Sequence, residues 1–240
     1  RKDNPEIAKA KELNLNVYSY PEYVYEQTKE QLRVVIGGSH GKTTIASMIL
    51  HVAQTQGLDV DYLVGAQLEG FDCMVKLTEN AKIAVLEGDE YLSSPLDLRP
   101  KFHLYYPDVA VISGIAWDHM NVFPTFNNYV EQFQIFVDRI TQNGTFIYCE
   151  LDEEVNKIGK KARKDLNLRP YGIHTHKIES GTTILETDVG EYRLEIFGDH
   201  NLQNLNAAKY ACMAMGISEC AFYESIQSFK GASKRLELLD

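Results

Sequence analysis

Apolar residues in this chain fall into two rhythms: short unbroken runs, and stretches where they recur every third or fourth position. Residues 33–36 form a strand-sized apolar run, and Ile45, Met48, Ile49 and Val52 behind it share one face of a helix that Gly57 is suited to end. Residues 60–64, 83–86 and 109–113 read as further strands, the last two buried, with 83–86 running into Glu87. Residues 125–140 predict an amphipathic helix with Val130, Phe133, Phe136, Val137 and Ile140 on one side. A strand over 145–149 and a charged helix from Asp152 to about Lys164 follow. Nearer the start, the pattern predicts a helix over 4–13 with Pro5 at its first position, a brief strand around Val17, and a helix over 21–29.

Alternating strands and helices predict an α/β fold with a mostly parallel sheet covered by helices on both faces. Residues 178–197 break that rhythm. There TTILET and EYRLEIF flank residues 188–190, the pattern of a small antiparallel hairpin. Two helices, 201–215 and 218–229, close the chain, and no internal repeat or low-complexity segment interrupts it.

Composition narrows the function classes. With 44% hydrophobic and 24% charged residues, the 240-residue chain resembles ordinary soluble proteins with a substantial core. A formal net charge of -10 argues against general nucleic-acid binding, which needs a basic surface, yet leaves room for a polyanion held by local positive charge. No apolar run is long enough to span a bilayer and no secretory signal is visible, so no membrane insertion is expected. The four cysteines, Cys73, Cys149, Cys212 and Cys220, have neither C-x-x-C nor zinc-like spacing, which predicts reduced thiols in a cytoplasmic protein. Starting at Arg1 and opening directly into helical sequence, the chain reads as a fragment.

The clearest chemistry lies in GGSHGKTT, residues 37–44, between a strand and a helix. Glycines let backbone N–H groups turn inward around a phosphate where a Cβ would obstruct, and the helix start adds unpaired donors. Gly38, Ser39, His40, Gly41, Lys42, Thr43 and Thr44 are therefore candidate ATP-binding residues, with Lys42 reaching the outer phosphates and the Thr43 hydroxyl ligating Mg2+. Ile36 stands where the general P-loop pattern has its first glycine. The competing explanation is a glycine-rich turn that binds nothing, which the lysine–threonine pair in a strand-to-helix context disfavours.

Two other buried strands end in polar groups on the edge where open α/β sheets bind ligands. One delivers Glu87 within EGDE, the other Asp118 and His119 a turn later, so Thr43, Glu87 and His119 form a candidate magnesium set in which the imidazole is the unusual member. Alone, residues 87–90 would read as a solvated acidic turn and His119 as a structural histidine. Their convergence with the glycine loop favours a P-loop NTPase-like site.

These motifs, taken in order, resemble the Mur ligases. GSHGKTT is similar to their ATP loop, EGDE to their magnesium-binding acidic segment, and DHM at 118–120 to their Asp-His motif. GDHNLQNLNAA at 198–208 resembles the adenine-binding signature, which implies that His200 and Asn201 flank the base and Asn204 supports the contact. GASKRLE at 231–237 resembles the close of the central domain, with Arg235 matching a phosphate-contacting arginine. The resemblance implies catalytic roles for Lys42, Glu87, His119 and Arg235. It also implies residues 1–32 as the tail of an N-terminal UDP-binding domain, 33–235 as the central ATP-binding domain, and 236–240 as the start of a linker to a C-terminal domain.

Two departures bear on substrate. Ser113 and Gly114 occupy the region of the family's asparagine before Asp-His, and Gln134 falls near the carbamylated lysine of several members, so no such lysine is expected. This points to the branch acting on UDP-N-acetylmuramate with L-alanine or with a ready-made peptide. The segment EGDEYLSSPLDLRPKFHLYYPDVAVIS and the DHMNVFP run resemble the murein peptide ligases more closely, which implies L-alanyl-γ-D-glutamyl-meso-diaminopimelate as the amine. UDP-N-acetylmuramate–L-alanine ligase remains the alternative within the family. A non-catalytic nucleotide-binding module, a folylpolyglutamate synthetase-like ligase and a general P-loop hydrolase are the alternatives outside it. By the resemblance, the muramate carboxylate takes the γ-phosphate of ATP and the amine then displaces it.

Overall fold

The computed structural model describes residues 3–68 and 70–231. Its main sheet holds seven strands in the order β3-β2-β4-β1-β5-β6-β7. These are β1 (Leu32–Gly37), β2 (Asp61–Leu63), β3 (Val75–Lys76), β4 (Ile83–Glu87), β5 (Val109–Ile112), β6 (Thr145–Cys149) and β7 (Asn167–Tyr171). All pair in parallel except the edge strand β3, which runs antiparallel to β2. A separate three-stranded antiparallel sheet, β10-β9-β8, is built from β8 (His176–Glu179), β9 (Thr182–Thr187) and β10 (Gly190–Leu194). The helices are α1 (Pro5–Glu12), α2 (Tyr20–Thr28), α3 (Lys42–Thr55), α4 (Phe126–Asp138), α5 (Glu153–Lys161), α6 (Asp199–Ala214) and α7 (Glu219–Ile226), with a short 3-10 turn at Lys101–Leu104.

Side chains alternate across a strand, so each apolar run feeds two cores. Val34 and Ile36 of β1, with Val85, Val111 and Ile147, pack under α3, α6 and α7. Val35 between them, with Ala84, Leu86, Ala110 and Ile112, packs under α4 and α5 against Phe102, Phe133 and Phe136. Full burial on both faces explains why these strands read as unbroken apolar runs rather than alternating ones. Phe133 and Phe136 are fully buried, and each such side chain contributes about 1.5–3 kcal/mol relative to exposure. Leu185 and Leu194 join the α6–α7 core, which fastens the small sheet to the main body.

The mostly parallel sheet with helices on both faces, and the separate antiparallel element, are as the sequence pattern predicts. The hairpin has a third strand, β8, that the pattern did not reveal. No strand forms around Val17: residues 15–19 are irregular and the side chain is 43% exposed, an apolar position with no ladder to join. Ile36, in place of the usual glycine, is a fully buried strand residue, and its side chain belongs to the core beneath α3 rather than to the loop. α2 contributes Val24 to the second core, and the buried Arg33 ties its C-terminal end to the sheet by donating to the Lys29 carbonyl at 2.6 Å. Among the described residues, no helix is long and apolar enough to cross a membrane.

Candidate functional site

The loop leaving β1 starts from the middle of the sheet and is gripped on both sides. Ile36 is in register with Glu87 of β4 and with Val111 of β5. Gly88 N–H donates to the Ile36 carbonyl at 2.8 Å, and Ser113 N–H to the Gly37 carbonyl at 3.2 Å. The Ser113 hydroxyl also donates to the His40 carbonyl, and Ser39 N–H to the Gly114 carbonyl at 2.9 Å. Ser113 and Gly114 thus hold the loop's shape, with Ser113 only 5% exposed.

Two glycines require their lack of a side chain. Gly38 has φ +130°, and a Cβ there would collide with the Ser113 hydroxyl. Gly41 has φ +79°, and its Cβ would stand 2.5 Å from Asn204 Oδ1. Gly41 is also the N-cap of α3 and provides no side-chain cap, so the backbone donors of the first turn keep their capacity for an external acceptor. A cradle that Cβ atoms would fill, leading into a helix start, fits a phosphate chain.

Lys42 opens α3 and folds back over the loop. Its Nζ donates to the Gly38 carbonyl at 2.5 Å and to Glu90 Oε2 at 2.9 Å. Glu90 is 2% exposed, and its other oxygen accepts the Tyr129 hydroxyl at 3.1 Å. A carboxylate only accepts, so the chain of donors has one direction. Ala116 N–H donates to Ser39 Oγ at 2.9 Å, Ser39 to Tyr129 at 2.9 Å, and Tyr129 to Glu90. Burial first, and then the Glu90 charge, raise the Tyr129 pKa above its ordinary value, which keeps the phenol a donor. The sequence marks Glu90 only as part of an acidic turn and gives no sign of Tyr129; no local pattern separates the second glutamate of EGDE from a solvated one.

Thr43 and Glu87 meet as expected, with the Thr43 hydroxyl donating to Glu87 Oε2 at 3.3 Å. His119 is placed differently from the expected trio: its Nε2 lies 3.8 Å from Glu90 Oε1 and 3.9 Å from Asp118. It has φ +52°, rare for a residue with a side chain, and its ring meets Tyr91 edge-on at 5.0 Å. Among the described residues, no three His, Cys, Asp or Glu side chains gather closely enough to hold a metal ion. A hydroxyl and a carboxylate side by side suit magnesium, which keeps water and phosphate oxygens in most of its positions.

Next to Asp89, neighbour of Glu90, lies Lys101, their side chains 2.5 Å apart. Burial alone would raise the Asp89 pKa, but the bond from Lys101 and the Tyr91 N–H hold it below the ordinary carboxylate value. Asp152, the N-cap of α5, accepts Val155 N–H and, through its second oxygen, Ile115 N–H at 2.9 Å, so it links α5 to the segment leading to His119.

The α6 segment reaches the loop at its first turns. His200 faces His40 edge-on, ring centroids 6.3 Å apart. Partial burial chiefly, then His200 and Lys42, lower the His40 pKa against an opposing pull from Asp152. Asn204 lies against Gly41, whereas Asn201 is turned back on its own chain, donating to the Phe197 carbonyl at 2.8 Å. Thr44 lies in the first turn of α3, where its carbonyl accepts the Ser47 hydroxyl at 2.8 Å. Gln134 donates to Asp138 at 3.2 Å on the exposed side of α4. Arg235 lies outside the described residues.

Comparison with known proteins matches residues 36–212 to the Mur ligase middle domain. A UDP-N-acetylmuramate–L-alanine ligase of Caldicellulosiruptor saccharolyticus is 33% identical over 256 residues, covering 99% of this chain and 53% of that protein. The corresponding ligase of Carboxydothermus hydrogenoformans is 30% identical over 248 residues, covering 99% and 52%. The chain thus spans about half the length of these curated relatives. Among solved structures, the UDP-N-acetylmuramate:L-alanyl-gamma-D-glutamyl-meso-diaminopimelate ligase of Neisseria meningitides superposes with a TM-score of 0.83 at 24% identity, over 95% of this chain and 75% of that one. A murein peptide ligase of Psychrobacter arcticus 273-4 gives 0.77 at 19% identity, over 100% and 56%. With its middle-domain signature running from the end of β1 into α6, this chain belongs to the Mur ligase family.

Proposed function

We propose that this chain is the ATP-binding part of a carboxylate–amine ligase of peptidoglycan synthesis or recycling, acting on UDP-N-acetylmuramate in the cytoplasm. One observation carries the reading: the Gly38–Gly41 cradle, Lys42 and the Thr43–Glu87 pair all sit at the carboxyl edge of β1 and β4. In the reaction a carboxylate oxygen of the muramate attacks the γ-phosphorus, ADP leaves, and the amine nitrogen then attacks the acyl carbon as phosphate departs. Phosphoryl transfer of this kind asks a protein mainly for positioning and charge neutralisation. The backbone of residues 38–41 would hold the phosphates and Lys42 would offset their outer charge. Thr43 and Glu87 would hold Mg2+, which supplies further charge neutralisation when bound. His119, set beside Glu90, and Arg235 are the remaining candidates for contact with the reacting groups, and His200, Asn201 and Asn204 for contact with the base. By the same reading residues 1–32 belong to a UDP-binding unit, 236–240 begin a linker, and the 240-residue chain alone does not complete ligation.

For the amine we propose L-alanyl-γ-D-glutamyl-meso-diaminopimelate, supported by the segment from Glu87 to Ser113 and by the fold likeness to peptide ligases. Free L-alanine is the second reading, favoured by the curated relatives, which are L-alanine ligases. The test is turnover of the whole protein with UDP-N-acetylmuramate plus either amine; preference for L-alanine overturns the peptide assignment and leaves the fold untouched. Lys42→Ala should abolish ATP-dependent turnover, and near-normal turnover would contradict the assignment of Lys42 and the glycine loop to the phosphates.

A further inference from the structure

We infer that Glu90 is a positioning residue that withholds Lys42 from the phosphates until nucleotide arrives, and thereby sets the affinity of the site for ATP. The inference rests on the reading of the glycine loop as an ATP site. It does not follow from that reading, which needs only that Lys42 be near. Three observations support it. The Lys42 ammonium is engaged on the protein, at 2.9 Å from Glu90 Oε2 and 2.5 Å from the Gly38 carbonyl of the loop it is meant to serve. The carboxylate is nearly inaccessible at 2% exposure, so its charge is poorly screened by water. It is also held from behind: Tyr129 donates to Oε1 at 3.1 Å and is itself fixed by Ser39.

An incoming triphosphate must therefore do two unfavourable things. It takes Lys42 from a charge-assisted bond, and it brings its own negative charge close to a fixed carboxylate. Tyr129 prevents Glu90 from following the lysine. A neutral amide at position 90 removes the competing charge: its one oxygen can still accept from Tyr129, while its NH2, a donor, offers Lys42 no bond and leaves the ammonium free for phosphate. The sign of the effect is what separates this role from a structural one. Loss of a structural contact weakens nucleotide binding, whereas loss of a competitor strengthens it.

Isothermal titration calorimetry of ATP into this chain and its Glu90→Gln variant, once in Mg2+ and once in EDTA, makes the test. The variant is expected to bind ATP about tenfold more tightly in both buffers. Its affinity for AMP, which lacks the outer phosphates, should stay within about twofold of wild type. Glu90→Asp, which keeps the charge, should restore an affinity near that of wild type. Circular-dichroism melting checks that each variant folds, and Glu90→Ala carries the same expected sign if the amide does not. Unchanged or weaker ATP binding by the charge-free variant overturns the inference. Weakening seen only in Mg2+ also overturns it, by assigning Glu90 to the cation. Absence of ATP binding by the wild-type chain is a different failure, one that removes the ATP reading itself.

Discussion

Replacing Gly41 by alanine isolates the two demands the cradle makes on its backbone. The residue sits at φ +79°, where an L side chain costs about 1–2 kcal/mol. The new Cβ would stand 2.5 Å from Asn204 Oδ1, closer than any real contact, so the Asn204 amide must swing away. Overpacking of that kind adds roughly 1 kcal/mol. The sum, about 2–3 kcal/mol, corresponds to a fall in melting temperature of about 5–10 °C for a chain of this size. The two parts separate in a double-mutant cycle: with Asn204→Ala in the background, Gly41→Ala should lose only the backbone share. Differential scanning fluorimetry of the four proteins gives the stability terms, and ATP titration should show at least about a tenfold loss of affinity in Gly41→Ala. A Gly41→Ala variant that melts within a degree of wild type and binds ATP normally would refute the geometry assigned to the loop. So would a cycle in which removing the Asn204 amide recovers nothing.

His103 is buried, stacked on Phe102, and donates from Nε2 to the Gln132 carbonyl at 2.8 Å; a carbonyl only accepts, which fixes the proton on Nε2. Burial pushes its pKa down to about 4, so the folded state resists a proton that the unfolded chain accepts near 6.5. The stabilisation is complete above pH 6.5 and disappears as pH falls toward 4; at pH 5 the loss is about 2 kcal/mol. Thermal melts between pH 7.5 and 5 should show this slope, and it should flatten in His103→Gln. Arg33, with its side chain 6% exposed, pairs with Asp108 at 3.1 Å and donates to the Tyr106 carbonyl at 3.0 Å. Arg33→Ala should destabilise by about 3 kcal/mol, read as a drop in urea midpoint with the slope of the transition unchanged. Mass spectrometry of the 240-residue chain with ATP, UDP-N-acetylmuramate and the tripeptide should detect no amide product, and its appearance would contradict the division proposed above.

What the sequence disclosed follows from where the physics is local. The central strands are buried on both faces, so each appeared as an apolar run; the glycine loop was visible because phosphate cradles constrain consecutive residues. The edges were silent. β7 is NLRPY, with four exposed positions and Pro170 in a place only an outer strand tolerates, and β8 is a polar HKIE. β3 is two residues long and owes its pairing to β2. In the site, Thr43 and Glu87 were found because a motif names them. Tyr129, 39 positions from Glu90, and Asp152, 37 from Ile115, enter through tertiary contact alone, and nothing near them in sequence signals the partner. Position 36 was conspicuous only as a mismatch, until its burial in the core explained it.

The grip on both flanks of β1 has a consequence for how such a domain tolerates change. A turn made of glycines has little stiffness of its own; here it borrows rigidity from neighbours joined to it at Gly88 and Ser113. Tailoring nucleotide preference by rewriting the turn would therefore attack the part that depends most on its surroundings. Of the two clamps, Ser113 is the better handle for an engineer, because Gly88 has no room for a side chain: a Cβ there would stand 3.0 Å from Phe102 and Val35 in the core.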